Sequence, residues 1–444
     1  MPTLTLAANW PFDVRRVPLF YGWIIWVLTT VGLWLTVPGQ TMGMAVFTDF
    51  LIVELNLSRT QLSTAYLIGT VASSLCLARA GRLYDRHGAR TMMVLASFAL
   101  GCCVVCITAI GPIARWMSGA IGGEMYIFTF VLIALGYFGV RLTGQGILAG
   151  ANRNVLLVWF ERRRGLVSGA RGVFMSLGFA LAPLILAALI DAVAWRAALW
   201  IMAATTGLGF ACLALILARD TPESCGLNPD GDVNTLTPRA EGETAVAPLQ
   251  ATLTQARRSS AFWIYSLALA TYSLTGTAVT FHVVDIFEAA GRGRTEAFGY
   301  FLPLAAVAVS VNLCASWYSD RSSLKPLLLT MLLGFIIGCM GLTQLHFAWG
   351  FWVMVTGFGI GSGLWAVLSS LAYVRFFGRR HLGEISGSAV SLSVLGSAIG
   401  PALFSAAKDL TGTYHAVTWL CAGAFLILLA VAAQMVAHDP VPKS

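Results

Sequence analysis

Charged residues are scarce in this chain of 444 residues. Asp, Glu, Lys and Arg together make up 11% of it, whereas soluble domains carry about 25%. Hydrophobic residues reach 57%, and the mean hydropathy is +0.78. A soluble fold would lack the polar residues that cover its surface, so the composition excludes that class and predicts a membrane protein.

Three further absences narrow the functional class of this membrane protein. Residues 1–19 have no short apolar core before a small-residue cleavage site, so we expect no cleaved signal peptide. No GxxxxGK[ST] segment occurs, so we expect no ATP hydrolysis by this chain. The nine cysteines lie mostly in apolar runs without nearby His or carboxylates. We therefore expect no disulfide framework, no metal, no cofactor and no enzyme activity.

Twelve apolar runs are long enough to cross a bilayer, which takes roughly 20 predominantly apolar residues for each helix. They predict an all-α membrane protein with twelve transmembrane helices, numbered here as spans 1 to 12. Several runs contain glycine or proline, which membrane helices tolerate better than soluble ones. The predicted spans cover residues 20–46, 60–80, 91–112, 125–156, 166–190, 196–218, 260–286, 296–318, 326–345, 347–374, 384–407 and 415–437.

Basic residues are distributed unevenly between the loops that twelve spans place on opposite sides. Of the 28 Lys and Arg residues, nineteen lie on the side of the termini and six on the other. The remaining three, Arg141, Arg153 and Arg171, lie inside spans 4 and 5. The positive-inside rule then puts both termini in the cytoplasm. One span more or fewer would mix the two sets, so the asymmetry supports the count of twelve.

A polar stretch divides the chain into two similar halves. Residues 219–258 are rich in Pro, Gly, Asp, Glu and Thr and predict a flexible linker, with a short helix near residues 252–260. The linker joins two six-helix bundles, residues 1–218 and 259–444. Landmarks repeat at a constant offset of 218 residues, which predicts pseudo-symmetric bundles. They are Arg162 with Arg380, GLVSG (165–169) with GEISG (383–387), Gly178 with Gly396, Pro183 with Pro401, and Asp191 with Asp409.

The polar segment GRLYDRHGAR, residues 81–90, joins spans 2 and 3. Gly81 permits close helix approach, and Gly88 can adopt the positive φ of a tight turn. Asp85 can accept hydrogen bonds from basic groups or cap a helix N-terminus. A shorter copy, Ser-Asp-Arg at 319–321, follows span 8. With the twelve spans and the linker, this segment resembles the signature loop of the major facilitator superfamily, although an ordinary basic loop is the plain alternative.

That resemblance implies alternating access. Two bundles would rock about a site near the middle of the membrane, and the signature loop would hold the cytoplasmic side shut in one state. Asp85 would then be a gating residue. The full set of gating residues that the resemblance implies is Gly81, Asp85, Arg86, Gly88, Asp320 and Arg321.

A narrower resemblance is to bacterial members of the monocarboxylate porter and oxalate–formate antiporter branch. It is carried by YGW at 21–23, WFERRRGLVSG at 159–169 and PESCGLNPDG at 222–231. The chain departs from that branch where cationic substrate anchors are usual, so lactate, pyruvate, oxalate or formate cannot be inferred. The departing positions are Pro38, Gly39 and Gln40 in span 1, Ser310 and Asn312 in span 8, and Ser391 and Ser393 in span 11.

Arg141 is the remaining cation deep in an apolar run. A charge at the centre of a span costs about 2.5–3.5 kcal/mol on insertion scales, so it normally faces a bundle interior or a wet cavity. Gln145 and Asn152 follow on one helical stripe, and an Arg fork suits a carboxylate. Two interpretations stay open: substrate binding, or a structural tie to backbone carbonyls. The candidate substrate-binding residues are Gln40, Arg141, Gln145, Asn312 and Trp365.

Acidic residues lie only toward the ends of the spans, which favours an organic anion over a cation as the substrate. Proton coupling needs a titratable group, and His282 with Asp285 in span 7 is the best pair. The alternative for this pair is a place at the outer water interface. We therefore predict a secondary active transporter of a small organic anion, such as a monocarboxylate, with a proton or counter-anion as its partner.

Two other functions remain as alternatives: a transporter-like sensor, and an exporter of an uncharged or amphipathic compound. GFGIGSG at 357–363 resembles a dinucleotide-binding fingerprint, but inside span 10 it predicts close helix packing instead. Loop topology explains the basic clusters, so we expect no nucleic-acid partner. The expected location is a bacterial inner membrane, where the chain would act as a monomer.

Overall fold

The computed structural model describes residues 9–122, 124–231 and 250–435. Within these ranges all regular structure is helical. The nineteen α-helices are α1 Gly22–Trp34, α2 Thr41–Ala45, α3 Thr48–Leu55, α4 Arg59–Thr108, α5 Ile110–Ile121, α6 Met125–Val140, α7 Ala149–Trp159, α8 Arg164–Val193, α9 Trp195–Ala204, α10 Ala211–Leu217, α11 Leu253–Arg258, α12 Ser260–Phe281, α13 Val283–Ala289, α14 Arg294–Gly299, α15 Phe301–Ser319, α16 Lys325–Thr343, α17 Ala348–Phe377, α18 Leu382–Thr411 and α19 His415–Gln434.

The described helices account for the twelve predicted spans. Nine helical segments are long and apolar enough to cross a membrane, and α12 with α13 forms one more, bent by 68°. α4 has 50 residues, about 75 Å at 1.5 Å per residue, whereas a bilayer core is about 30 Å thick. Gly88 interrupts α4 with φ 82° and ψ 167°, which confirms the positive φ expected there and divides α4 into two spans. The shorter apolar helix α1 begins span 1.

Span 1 is broken, although its apolar run predicted one continuous helix. α1 ends at Trp34, a 3₁₀ turn covers Val37–Gly39, and α2 begins at Thr41. Pro38 explains the break, because proline has no amide hydrogen and its ring clashes with the carbonyl one turn earlier. The short helix expected in the linker is present as α11, and Thr252 caps its first turn.

Span 4 is also irregular. Residues Arg141–Leu148, between α6 and α7, form a π-helical segment. π-Helical turns are rare and occur frequently at functional sites. A second π-helical segment, Thr205–Phe210, separates α9 from α10. Neither segment was predicted, because the apolar pattern alone does not distinguish an α-turn from a π-turn.

The chain forms two compact units. Unit 1 comprises Met1–Glu161, Phe174–Ala247 and Leu382–Ser388, and unit 2 comprises Arg162–Val173, Pro248–His381 and Ala389–Ser444. The first residues of α8 thus belong to unit 2, and the first residues of α18 belong to unit 1. The predicted domain boundaries at residues 218 and 258 divide the chain by position in the sequence and not by packing. They stay a prediction.

The glycine-rich run at 357–363 lies inside α17. A Cβ atom on Gly357 would stand 2.7 Å from the carbonyl oxygen of Gly334, and one on Gly361 would meet the ring of Phe335. Both neighbours belong to α16. The run is therefore a close-packing face between two helices, as the sequence predicted.

Candidate substrate site and helix caps

Arg141 lies at the start of the π-helical segment in unit 1, with 3% of its surface exposed. Its Nη1 atom donates to the carbonyl oxygen of Gly39 at 3.3 Å and to Oγ1 of Thr41 at 3.5 Å. Its guanidinium carbon stands 5.4 Å from the ring centre of Tyr66. Both hydrogen bonds are long for N–H···O contacts, so the guanidinium is held loosely.

The guanidinium is not neutralised. Its Nε atom is buried without a hydrogen-bond partner. Among the described residues, no ion pair joins Arg141 to a carboxylate. A buried charge is normally paired, because desolvation makes an isolated one costly. Arg141 therefore has capacity to bind an anion.

Two irregular backbones meet beside Arg141. A Cβ on Gly39 would lie 2.6 Å from Cα of Gly144 and 2.6 Å from the carbonyl oxygen of Val140. The broken end of span 1 thus packs directly on the π-helical segment. Irregular backbone inside a membrane occurs where protein buries it or where it lines a cavity, and interrupted helices often mark binding sites in transporters.

Two residues that the sequence analysis did not select complete this cluster. The hydroxyl groups of Thr41 and Tyr66 are hydrogen-bonded at 2.8 Å, and the Tyr66 ring packs edge-on against Tyr137 at 5.0 Å. Thr41 follows the predicted site residue Gln40 directly, which was a usable signal. Tyr66 lies in an apolar run, so its place in the sequence was only a weak signal of a site residue.

The other predicted polar residues of span 4 and span 1 are placed less favourably for ligand contact. Gln40 donates to Oγ1 of Thr36 at 3.2 Å, and Asn152 is buried, with Nδ2 donating to the carbonyl oxygen of Leu148. Gln145 lies within the π-helical segment and is half-buried. The predicted stripe of Arg141, Gln145 and Asn152 assumed α-helical spacing, and the wider π-turn changes that spacing.

In unit 2 the two predicted site residues lie on different helices. Asn312 of α15 is 8% exposed and donates from Nδ2 to the carbonyl oxygen of Gly363 at 3.4 Å. Trp365 of α17 donates from Nε1 to the carbonyl oxygen of Leu269 at 3.3 Å, and its ring lies 5.1 Å from that of Tyr272.

His282 lies at the 68° bend between α12 and α13. Its Nε2 atom is 3.0 Å from the carbonyl oxygen of Pro401, so that nitrogen carries the hydrogen. Asp285 accepts from Lys408 and from the hydroxyl of Tyr414, both at 2.5 Å. The Tyr414 hydroxyl is also 3.4 Å from Nδ1 of His282. The predicted pair therefore belongs to one connected polar cluster.

Asp85 in unit 1 caps the start of α18. Its Oδ1 accepts from the backbone N–H of Gly383 and its Oδ2 from that of Glu384, each at 2.8 Å. An anionic acceptor at a helix N-terminus satisfies free N–H groups and complements the helix dipole. A Cβ on Gly81 would collide with the carbonyl oxygen of Gly383, so glycine permits the close approach that was predicted for it.

Asp320 in unit 2 caps the start of α8 in the same way. Its two carboxylate oxygens accept from the N–H groups of Gly165 at 2.6 Å and Leu166 at 2.9 Å. Burial raises the pKa of the Asp320 carboxyl, while the two N–H donors act in the opposite direction. The predicted residues Arg86 and Arg321 are exposed, and Arg321 stacks on Trp317 at 4.3 Å.

A third aspartate, Asp220, was not selected from the sequence. It accepts from the backbone N–H of Arg90 at 2.8 Å, next to Gly88 at the break in α4. Burial raises the pKa of the Asp220 carboxyl. Arg90 and Arg219, both almost fully buried, bind carbonyl oxygens of the N-terminal segment at Trp10 and Phe12. The linker start and the N-terminal segment thus form part of unit 1.

The family model described as Major Facilitator Superfamily matches residues 29–401. No curated protein matches the chain significantly.

Several solved transporters share its fold. The proton:xylose symporter XylE is 15% identical over 96% of this chain and 97% of its own, with a TM-score of 0.66. A bacterial homologue of the iron transporter ferroportin is 15% identical over 92% and 98%, with 0.64. The human organic anion transporter MFSD10 is 14% identical over 94% and 100%, with 0.59. Identities this low show the fold alone: twelve helices in two six-helix bundles. Since the family model spans most of its length, the chain belongs to the major facilitator superfamily.

Proposed function

We propose that the protein is a secondary active transporter that carries a small organic anion, such as a monocarboxylate, across a bacterial inner membrane by alternating access. One observation supports the charge of the substrate: the buried, unneutralised guanidinium of Arg141. The narrower resemblance to the monocarboxylate porter branch supports the substrate class.

Arg141 is proposed to bind the anion directly. Its hydrogen bonds to Gly39 and Thr41 are long, and its Nε atom has no partner. An arginine fork binds a carboxylate through two parallel hydrogen bonds. The structural alternative, in which Arg141 only ties the broken span 1 to span 4, uses one nitrogen and leaves the charge uncompensated.

The test is a thermal-shift screen of carboxylates on the purified protein and on Arg141→Gln. We expect an acid that stabilises the wild type to bind the variant roughly 30-fold more weakly or worse, because removing one partner of a buried charge pair costs about 2 kcal/mol or more. Arg153→Gln, in the same span, is the matched control and should respond like the wild type.

Equal stabilisation of wild type and Arg141→Gln by every acid would refute the role of Arg141. Counterflow in proteoliposomes then separates transport from sensing. Exchange of labelled for unlabelled acid is expected, whereas binding without exchange would favour the transporter-like sensor. Stabilisation by uncharged compounds alone would favour the alternative exporter.

Proton coupling is proposed to use the cluster of His282 and Asp285. Asp285 already has a cationic partner in Lys408, and histidine is a common proton shuttle in proteins, so His282 is the proposed coupling group. His282→Gln should flatten the pH dependence of uptake while counterflow continues. An unchanged pH profile of uptake in this variant would exclude His282 as the coupling group.

Both termini are proposed to lie in the cytoplasm, since nineteen basic residues cluster on their side of the predicted spans. A protease added to spheroplasts, in which the outer face of the inner membrane is accessible, should leave a C-terminal tag uncut. Cleavage of that tag in intact spheroplasts would reverse the orientation.

A further inference from the structure

Two helix starts pack in equivalent ways in the two units. In unit 1 the start of α18 lies on α4, where a Cβ on Gly383 would stand 2.5 Å from the carbonyl oxygen of Gly81. In unit 2 the start of α8 lies on α15, where a Cβ on Gly165 would collide with the carbonyl oxygen of Ser316. We call these the α4–α18 interface (residues 77–85 with 383–387) and the α8–α15 interface (165–172 with 312–320).

The α4–α18 interface has a hydrogen-bonded serine. Ser386 of α18 receives a hydrogen bond from Nδ2 of Asn154 at 3.1 Å, and its hydroxyl lies 3.4 Å from the carbonyl oxygen of Gly383. The atoms nearest to a Cβ on Gly387 would be backbone atoms of Leu77 and Ala78 of α4. Among the described residues of this interface, no buried side-chain oxygen or nitrogen lacks a hydrogen-bond partner.

The α8–α15 interface contrasts with it. Ser168, which lies 218 residues before Ser386, has a buried hydroxyl oxygen with no hydrogen-bond partner. The same holds for Oδ1 of Asn312 and Oγ of Ser316 on the facing helix. Ser316 is 1% exposed and Asn312 is 8% exposed. Three polar oxygens, one near the start of α8 and two on α15, are thus buried in unit 2 without partners.

The internal sequence repeat explains why Ser386 has a hydrogen-bond partner and Ser168 has none. The position equivalent to Asn154 is Ala372, which has no amide to offer. The facing positions on α8 are glycines: a Cβ on Gly169 would meet Ser316 Oγ, and one on Gly172 would stand 3.3 Å from Asn312 Oδ1. Hydrogen bonds donated by Cα–H groups are much weaker than those donated by N–H or O–H groups. Leaving a buried acceptor unbonded costs the desolvation of that group, and water would remove the cost.

We propose that the α8–α15 interface opens and admits water more readily than the α4–α18 interface, with Ser168, Asn312 and Ser316 as the groups that water reaches. Closed packing leaves these oxygens unsatisfied, whereas opening hydrates them. In the α4–α18 interface the equivalent serine, Ser386, is already bonded to Asn154 of α7, so opening there hydrates no unsatisfied serine oxygen. The proposal concerns the helix interfaces only and does not depend on the substrate.

Hydrogen exchange measured by mass spectrometry on the full-length protein in lipid nanodiscs tests this. Amides at 167–172 in α8 should exchange roughly tenfold faster than their equivalents at 385–390 in α18, the change that one lost hydrogen bond gives to an opening equilibrium. Equal rates at the two helix starts, or faster exchange in α18, would overturn the proposal.

Two variants test the difference between the two interfaces from both sides. Asn154→Leu leaves Ser386 without its partner and should raise exchange at 385–390 toward the rate in α8. Ser316→Ala removes one unsatisfied oxygen and should slow exchange at 167–172. If Asn154→Leu does not accumulate, Ser168→Ala, a one-atom deletion, replaces it and should also slow exchange in α8. Faster exchange in either alanine variant would contradict the proposal.

Discussion

In unit 1 Asp85 binds the N–H groups of the second and third residues of α18, and in unit 2 Asp320 binds the equivalent two groups of α8. The surroundings of the two caps differ. Arg82 forms a 2.8 Å ion pair with Glu384 beside the first cap. The equivalent residues in unit 2 are Trp317 and Leu166, which cannot form one. The hydrogen bonds from the aspartate to the backbone are thus the same in the two units, whereas the side chains around the cap differ.

The centres of the two units differ further. Arg141 in unit 1 corresponds to Gly359 in unit 2. A Cβ on Gly359 would lie 2.7 Å from Cβ of Val307 on α15, so this glycine serves close helix packing. One position thus carries a buried charge in one unit and a tight helix crossing in the other. This asymmetry supports the proposal that Arg141 of unit 1 binds the anion.

The largest effect is expected from Gly165→Val and Gly383→Val, which enlarge the two cap glycines. Each new side chain would meet a backbone carbonyl, and overpacking costs about 1–3 kcal/mol or more. Both variants should lose melting temperature or fail to accumulate. Gly423→Val, with nothing within 4 Å of its Cβ position, is the control and should melt like the wild type. Tolerance at only one cap would break the equivalence of the two units.

Asp85→Asn and Asp320→Asn should both insert normally and weaken transport. Asn keeps one acceptor oxygen but loses the charge that makes these hydrogen bonds strong. We expect transport to fall by roughly tenfold in both variants, since each loses charge-assisted hydrogen bonds. Uptake assays normalised to protein amount measure this. Normal uptake by well-expressed Asp85→Asn would rule out its gating role.

Arg82→Gln should have the smallest effect, below about 1 kcal/mol in stability, because exposed ion pairs contribute little. The side chain of Arg82 is 62% exposed and that of Glu384 is 15% exposed. Thermal melting at low and at high salt measures this contribution. A loss as large as that in Asp85→Asn would mean that the ion pair is part of the cap.

Much of the fold could be predicted from the sequence, because long apolar runs and the distribution of arginines follow directly from the order of residues along the chain. The constant offset between repeats gave the duplication, and the signature loop gave the family. The break in span 1 could have been predicted from Pro38, since proline at that position interrupts a helix.

The rest depends on contacts between distant residues. Asp85 and Gly383 are 298 positions apart, and no local pattern joins them. The π-helical turn at Arg141 has no sequence signature, so the predicted stripe assumed α-helical spacing throughout. Tyr66 is a single aromatic residue among many apolar ones, so only its 5.4 Å distance from the guanidinium of Arg141 reveals it.

The caps have one consequence for variation among related sequences. Asp85 and Asp320 bind peptide N–H groups, which every residue except proline supplies. Glu384 and Leu166 can therefore differ freely without loss of the hydrogen bond, as they do between the two units of this chain. Co-variation between a cap and its partner would be absent, although the two are in direct contact. Proline at 166 or 384 is the one change in side-chain type that would remove the N–H donor, and only its absence at these positions would reveal the pairing.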